Sequence, residues 1–496
     1  MGEIAFAKRF VKTLILFRMK KSEAAILASS VLSILLLLIF ATAGVVLIFT
    51  APGTCGEGDS IGHYQYARFA PLHPELFFHH WAKPLFVLLA SPFAQFGFTG
   101  IKFFNLLAAT LAVFLTWQTA VLLKIKRTAL VALFMIFSPA LIIHTLSGLT
   151  EPLFALVLIT SIFLYLKEKY TLSILLISFL PFVRSEGLII CGVFGLLLLL
   201  EKRFLLLPLL LAGHVVYSIA GYKIHGSLFW VFTKIPYARL SSAYGKGTWS
   251  HFFVHLPEII GIPLCILLVL GIIVLAIDVA KKHDFKDSLR EWLLIYGCFI
   301  TYFFAHVAFW ALGIFNSFGL MRVLIGVLPL MCLIELRGFN LIDHVVQPKI
   351  KAAIIGVGLF CIAVFPFTKS EYAWHYMRDF SLTPSQLSKV DLVNYIKQSF
   401  PDYKTRNYYF DASYIADLLD IDCFDKRVSK FTWEAYQSPP DNKSLLMWDD
   451  WDSKVEMNLP LNAVTGNPNW AQEKEFATKD QWGTPRTIIL FRSTVK

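Results

Sequence analysis

The sequence predicts a polytopic α-helical membrane protein of about eleven transmembrane helices, with a small α/β domain after the last hydrophobic run. Three observations carry this expectation. Of all residues 56% are hydrophobic and the mean hydropathy is +0.62, which is too apolar for a soluble protein of 496 residues. The apolar residues fall into long runs separated by short basic clusters. After Thr368 the composition turns polar and charged, with helix and strand patterns in alternation.

A bilayer core asks for roughly 20 apolar residues per helix, fewer where a helix is short or half-buried. On that measure the spans are 24–50, 101–123, 128–144, 150–166, 171–183, 186–200, 204–222, 259–278, 292–314, 319–336 and 352–368. The first follows a basic start (Lys8, Arg9, Lys12, Arg18, Lys20, Lys21) and has no small-residue cleavage signal before Pro52, so it reads as an uncleaved span. The pair 171–183 and 186–200 could be one bent hairpin interrupted at Pro181.

Between the spans lie Lys124/Lys126/Arg127, Lys167/Lys169, Lys202/Arg203, Lys281/Lys282/Lys286/Arg290 and Arg337/Lys349/Lys351. With the N-terminus in the cytoplasm every cluster lands on the cytoplasmic side, as the positive-inside rule requires. A missed or invented span would reverse all later loops. The formal charge of +11 is therefore assigned to topology and not to nucleic acid. Among the cysteines only Cys55 and Cys423 fall outside apolar runs, and no zinc or redox spacing occurs.

The chain divides into a transmembrane region, 1–368, and an extracytoplasmic α/β domain, 369–496. In the latter, Ser385–Phe400 reads as a helix and Tyr408–Asp411, Leu445–Trp448 and Thr487–Phe491 as strands. Its acidic run Trp448–Asp452 reads as a solvated turn, with cation binding as the alternative. Outside the membrane lie the long loop 51–100, Gly148–Glu151, Arg184–Glu186, the loop 223–258 and Asn316–Gly319. Chemistry is to be sought there.

The loop 51–100 gathers Glu57, Asp59, Tyr64, His79, His80, Trp81, Lys83 and Pro84 at a bilayer surface. A carboxylate there can take a proton from an acceptor hydroxyl or amine, while cations nearby offset the charge of a departing phosphate. Glu57 and Asp59 are also the two carboxylates a divalent cation would use, the one cofactor the motif allows for. Charges are also placed where apolar surroundings tolerate them poorly: Glu151 before Pro152, Arg184 and Glu186 within a hairpin, and Arg322 at the start of a span. The guanidinium fork suits phosphate oxygens, so Arg184 and Arg322 are candidate phosphate contacts. In the loop 223–258, Lys234 and Arg239 are the candidates for the same role. His79 and His80 read as polar cavity lining.

These residues resemble the integral-membrane glycosyltransferases of the GT-C superfamily, in particular the protein O-mannosyltransferase and aminoarabinose transferase group. The resemblance rests on Glu57-x-Asp59 in the first outer loop, Tyr64, Trp81, and Lys83-Pro84 with Leu85 in place of a second Pro. It extends to the Glu151-Pro152 helix start, the Arg184-x-Glu186-Gly187 sequence and Arg322 followed by Pro329, and in layout to the whole chain. One departure is Ser60, which stands where these enzymes place a second carboxylate.

What the resemblance implies is transfer of a sugar from a polyprenyl-phosphate-linked donor to a lipid, glycan or protein acceptor on the outer face. Asp59 would be the general base and Glu57 a helper. Tyr64, His79, His80, Trp81, Lys83, Glu151, Arg184, Glu186, Lys234, Arg239 and Arg322 would line the substrate site. No Rossmann glycine fingerprint points to a sugar-nucleotide donor. The expected location is a bacterial inner membrane, with the endoplasmic reticulum as the alternative. A transporter or flippase of a lipid-linked substrate, or a surface-glycan ligase or polymerase, are the alternative functions. No internal symmetry favours a transporter.

Overall fold

The computed structural model describes residues 27–56, 58–238, 240–242, 244–280, 285–480 and 483–496. Six helices in it are long and apolar enough to cross a membrane: Leu27–Thr50 (α1), Gly97–Leu122, Ile262–Ala280, Ser288–Leu312, Met321–Val345 and Pro348–Phe367. Their outward faces fit that reading, since the most apolar windows of Ile262–Ala280 and Pro348–Phe367 are only 17% and 11% buried by protein.

The other five expected spans are helical but shorter. Residues 128–144 break at Pro139 into two short helices, Ala129–Ile136 and Pro139–Thr145. Glu151–Leu166, Tyr170–Phe182, Gly187–Leu200 and Phe204–Ala220 have 10–17 residues each. At about 1.5 Å per residue these reach roughly 15–26 Å, less than a hydrocarbon core of about 30 Å. Proline is the physical reason in three of the five. It lacks an N–H and its ring clashes with the preceding turn, so Pro139, Pro181 and Pro208 sit at a break or in 3₁₀ geometry. Eleven full-length spans are thus not what the described residues form.

The region 51–100 also differs from the expected loop. It holds the helix Asp59–Phe69 (α2), a 3₁₀ turn Pro74–Phe78 and the helix Pro84–Ala94 (α3), the latter opened by Pro at its first position. Naming Gly97–Leu122 α4, the short helices Ala129–Ile136 and Pro139–Thr145 α5 and α6, and Glu151–Leu166 α7 completes the labels needed for the site.

One end of the helical bundle collects the basic loops. Arg127 lies 2.8 Å and Lys351 3.4 Å from Asp343, Arg203 and Arg290 meet Glu201 at 2.7 and 2.6 Å, and Arg337 meets Glu291 at 2.6 Å. At the other end, Lys102 near the start of α4 donates to the Ala51 carbonyl at 2.8 Å. The buried Asn105 donates to the carbonyls of Ser147 and Leu149 at 2.6 and 3.0 Å, which fixes the turn leading into α7. Ser60 completes this lock: its hydroxyl donates to the Thr54 carbonyl at 2.6 Å and accepts from the Gly148 N–H at 2.8 Å. A Cβ on Gly148 would stand 2.1 Å from the Ser60 carbonyl oxygen, so only glycine admits the approach of α2.

A small sheet domain follows the last long helix. Its strands β1 (Asn407–Tyr409), β2 (Ser429–Lys430), β3 (Ser444–Asp449), β4 (Trp470–Lys479) and β5 (Pro485–Ser493) are ordered β2-β1-β3-β5-β4. β1 runs parallel to β2 and β3, and the remaining pairs are antiparallel. The helix Pro384–Ser399, capped by Thr383 and Gln386, buries Leu392, Val393 and Ile396 against Tyr408, Leu445, Met447 and Leu490. In the acidic run Trp448–Asp452, two of the carboxylates face a buried cation: Lys389, only 2% exposed, lies 3.3 Å from Asp449 and 3.5 Å from Asp452.

This domain docks on α2. Arg68 pairs with Asp420 at 2.5 Å and approaches Asp417 at 4.0 Å, His73 contacts Asp422 at 2.8 Å, and Phe424 packs edge-on to Tyr66 at 4.7 Å. The Gly53 N–H donates to the Phe380 carbonyl at 2.8 Å, so both chain segments leaving the bundle here are tied together.

Replacing Gly148 by Ala should lower the thermal unfolding midpoint in detergent, at a cost of about 1–3 kcal/mol from overpacking. The control is Gly192→Ala at a helix position with open space around it, which should leave the midpoint unchanged or raise it slightly. Equal midpoints for the two variants would contradict the Ser60–Gly148 lock.

Candidate active site

The elements above bring together residues far apart in sequence. Asp59 is the first residue of α2 and Glu151 the first of α7, and the Ser60–Gly148 contact holds these two helix starts side by side. Carboxylates at helix N-termini are favoured by the helix dipole. Arg322, at the start of Met321–Val345, pairs with Asp59 and lies 3.3 Å from Glu151. Arg184 lies 2.7 Å from the same Glu151 oxygen and 3.0 Å from Glu186, and its guanidinium reaches Thr150 at 3.3 Å. Lys83 donates to the Ser185 hydroxyl at 2.9 Å.

The result is an alternating chain, Asp59–Arg322–Glu151–Arg184–Glu186, with Lys83 beside its far end. Three carboxylates face three cations. The side chain of Glu151 is fully buried, those of Arg184 and Arg322 are 15% and 20% exposed, and that of Asp59 is 42% exposed. Asp59 is therefore the end that a reactant can reach.

Aromatic and histidine side chains flank this chain. His63 lies one turn after Asp59 on the same face of α2 and stacks on Trp81 at 4.8 Å, with its rings inclined by 16°. Trp81 in turn donates its indole N–H to the Tyr237 hydroxyl at 2.6 Å, which brings the loop 223–258 over the site. Tyr302 and His306, 4.6 Å apart on Ser288–Leu312, interact electrostatically with Arg184 and Glu186.

The environment sets the protonation states. Burial pulls the Asp59 carboxyl upward, but Arg322, then His63 and Arg184, outweigh it and hold the group below its usual range. Burial likewise opposes ionisation of Glu186, yet Arg184, His306 and Lys83 bring it down to about 2. Burial pushes His63 down to about 4, leaving a neutral imidazole. It pushes the Lys83 ammonium down to about 8, with Glu186 opposing the shift and Arg184 adding to it.

Of the residues singled out in the sequence, Asp59, Lys83, Glu151, Arg184, Glu186 and Arg322 converge, and Trp81 joins them through His63. Tyr64 does not: five residues after Asp59, it is rotated about 140° around the helix. It accepts a hydrogen bond from Arg68 at 3.2 Å at the junction with the sheet domain. His79 packs on Tyr66 at 4.6 Å, and His80 donates to the Val231 carbonyl at 3.0 Å behind Ser185. Lys234 is exposed after the short helix Trp230–Thr233 and makes no ion pair with the chain of charges. Glu57 and Arg239 lie outside the described residues. Among the described residues no group of three or more His, Cys, Asp or Glu is arranged to hold a metal ion.

Sequence reasoning missed His63, Ser185, Tyr302 and His306, and did not single out Tyr237 from the other aromatic and basic residues of the loop 223–258. For His63 the signal was available as the i, i+4 partner of Asp59, once the region is read as helix and not as loop. Comparisons with protein-family models and with curated proteins found no match, so the chemistry of the site is argued from its own geometry.

Because burial pushes the Lys83 ammonium down to about 8, the affinity of this site for an anion such as inorganic phosphate should weaken as pH rises through about 8. Lys83→Arg, charged throughout, should bind with no such decline. Equilibrium binding to detergent-solubilised protein between pH 6.5 and 9.5 checks this, and an identical decline in both proteins would contradict it.

Proposed function

We propose that this chain is a membrane glycosyltransferase of GT-C type, moving a sugar from a polyprenyl-phosphate donor to an acceptor hydroxyl or amine. The observation that carries the reading is the alternating chain Asp59–Arg322–Glu151–Arg184–Glu186 with Lys83. It is placed at one end of an apolar bundle whose other end holds the basic loops. By the positive-inside rule the basic end is cytoplasmic, so the site and the sheet domain face the opposite compartment. A bacterial inner membrane suits this arrangement. The five shorter segments then complete eleven crossings, Glu151–Leu166 largely enclosed by protein and Phe204–Leu211 with no buried residue.

The mechanism is a single displacement with inversion. Asp59 takes the proton from the acceptor, the acceptor atom bonds to the anomeric carbon, and the bond from that carbon to the phosphate oxygen breaks with its electrons staying on the phosphate. Arg322, Arg184 and Lys83 supply the positive charge that the departing phosphate needs. The pairing of Arg322 with Asp59 adds a coupling. The site holds no surplus of cations over carboxylates among its described members, so a donor phosphate must compete with Asp59 for Arg322. Once Arg322 turns to the phosphate, the carboxylate loses the partner that held its proton affinity down and becomes the stronger base. Charging of the site and activation of the base occur together.

Purified protein incubated with radiolabelled polyprenyl-phosphate sugars and membrane acceptors should consume the donor and pass label to the acceptor. Asp59→Asn should lower the rate by about 10²–10⁴-fold, as loss of a general base does, in protein that still folds and inserts into membranes. Redistribution of label across vesicles without bond cleavage would point instead to a flippase, and near-normal turnover by Asp59→Asn would overturn the base assignment.

A further inference from the structure

Beside Ser185 lies a small, partly open cavity lined by His80, Phe182, Ser185, Leu188, His214 and Val231, with room for about one water-sized group. His80 and His214 are 7% and 5% exposed. The Nδ1 atom of each is buried and has no hydrogen-bond partner. A buried polar atom left this way is costly, so two of them on residues that line one cavity call for a partner there.

The chemistry of the filler follows from the imidazoles. The Val231 carbonyl can only accept, so His80 Nε2, 3.0 Å away, carries the ring proton, and Nδ1 is an acceptor. Burial holds His80 neutral, pushing it down to about 4. His214 is fixed in orientation by stacking on Phe232 at 5.1 Å and by an edge contact with Phe182 at 4.9 Å. A group that donates to His80 and either donates to or accepts from His214 satisfies both atoms. An uncharged hydroxyl does this. A carboxylate does not, since it offers no proton, and an ammonium would meet the charge of Lys83, whose Nζ donates to the Ser185 hydroxyl on the cavity wall at 2.9 Å.

We propose that this cavity is a hydroxyl-recognition subsite for the donor sugar: with the phosphate held by Arg322, Arg184 and Lys83, one sugar hydroxyl enters between His80 and His214, and which epimer is accepted depends on it. The inference rests on the glycosyltransferase reading and gives it a specificity element. His80 and His214 are positioning residues that touch a non-reacting part of the substrate.

The test uses full-length protein in nanodiscs with polyprenyl-phosphate glucose, mannose and galactose and the monodeoxy derivatives of whichever is consumed. Wild type should discriminate against one particular monodeoxy donor by at least about 10-fold in kcat/KM, because removing that hydroxyl leaves buried nitrogens unpaired. His214→Phe should bring the parent donor down to the level of that deoxy donor and so erase the discrimination. His214→Gln, which retains a donor and an acceptor, should restore at least part of it, and serves where the Phe variant does not fold. Discrimination that persists unchanged in both variants, or an equal loss on every donor, would mean the cavity holds only water. Failure of wild type to consume any donor would remove the glycosyltransferase reading and this inference with it, whereas turnover without hydroxyl discrimination removes the inference alone.

Discussion

Glu151 carries its carboxylate where no water reaches it, and it can do so because Arg184 and Arg322 stand 2.7 and 3.3 Å from one of its oxygens. A lone charge at that depth would be costly, whereas this carboxylate stands between two guanidinium groups and orients both. Removing one member of such a buried set costs on the order of 3–5 kcal/mol, because the others are left without compensation. The helix starts of α2 and α7, the hairpin at Arg184 and the start of Met321–Val345 converge at this one carboxylate. The rest of the site inherits its geometry from that convergence.

Two consequences follow for function. Because Glu151 satisfies only one side of each guanidinium, Arg184 and Arg322 can offer donors outward, to Glu186 and Asp59 in this structure and, on the proposed function, to a donor phosphate. The sheet domain bears on the same geometry from outside. It grips the last turn of α2 through Arg68 and the segment just after it through His73, so the helix that begins with Asp59 is held both by the bundle and by the domain.

Much of this was legible in the sequence, and the limits have physical causes. Hydropathy and the placement of Lys and Arg identify the membrane character and the two ends of the bundle, since both depend on composition. Helix length was less legible: a window average does not register that Pro139, Pro181 and Pro208 interrupt the backbone ladder, and apolar stretches that look like full spans end early. The charged members stood out one by one because apolar neighbours make each conspicuous. Their joining did not, since Asp59 and Arg322 are 263 residues apart. Reading 51–100 as a loop hid the helical spacing that places His63 with Asp59 and turns Tyr64 away. Ser60 looked like a missing carboxylate and is in fact the hydroxyl that fastens α2 to the turn before α7.

The account's central claim is that a phosphate displaces Asp59 from Arg322. A map of the protein in lipid nanodiscs with polyprenyl phosphate bound addresses it directly. The account predicts phosphate density within hydrogen-bonding distance of Arg322, with the Asp59 carboxylate separated from that guanidinium and Glu151 still in contact with it. Phosphate bound elsewhere, with the Asp59–Arg322 pair intact, would contradict it.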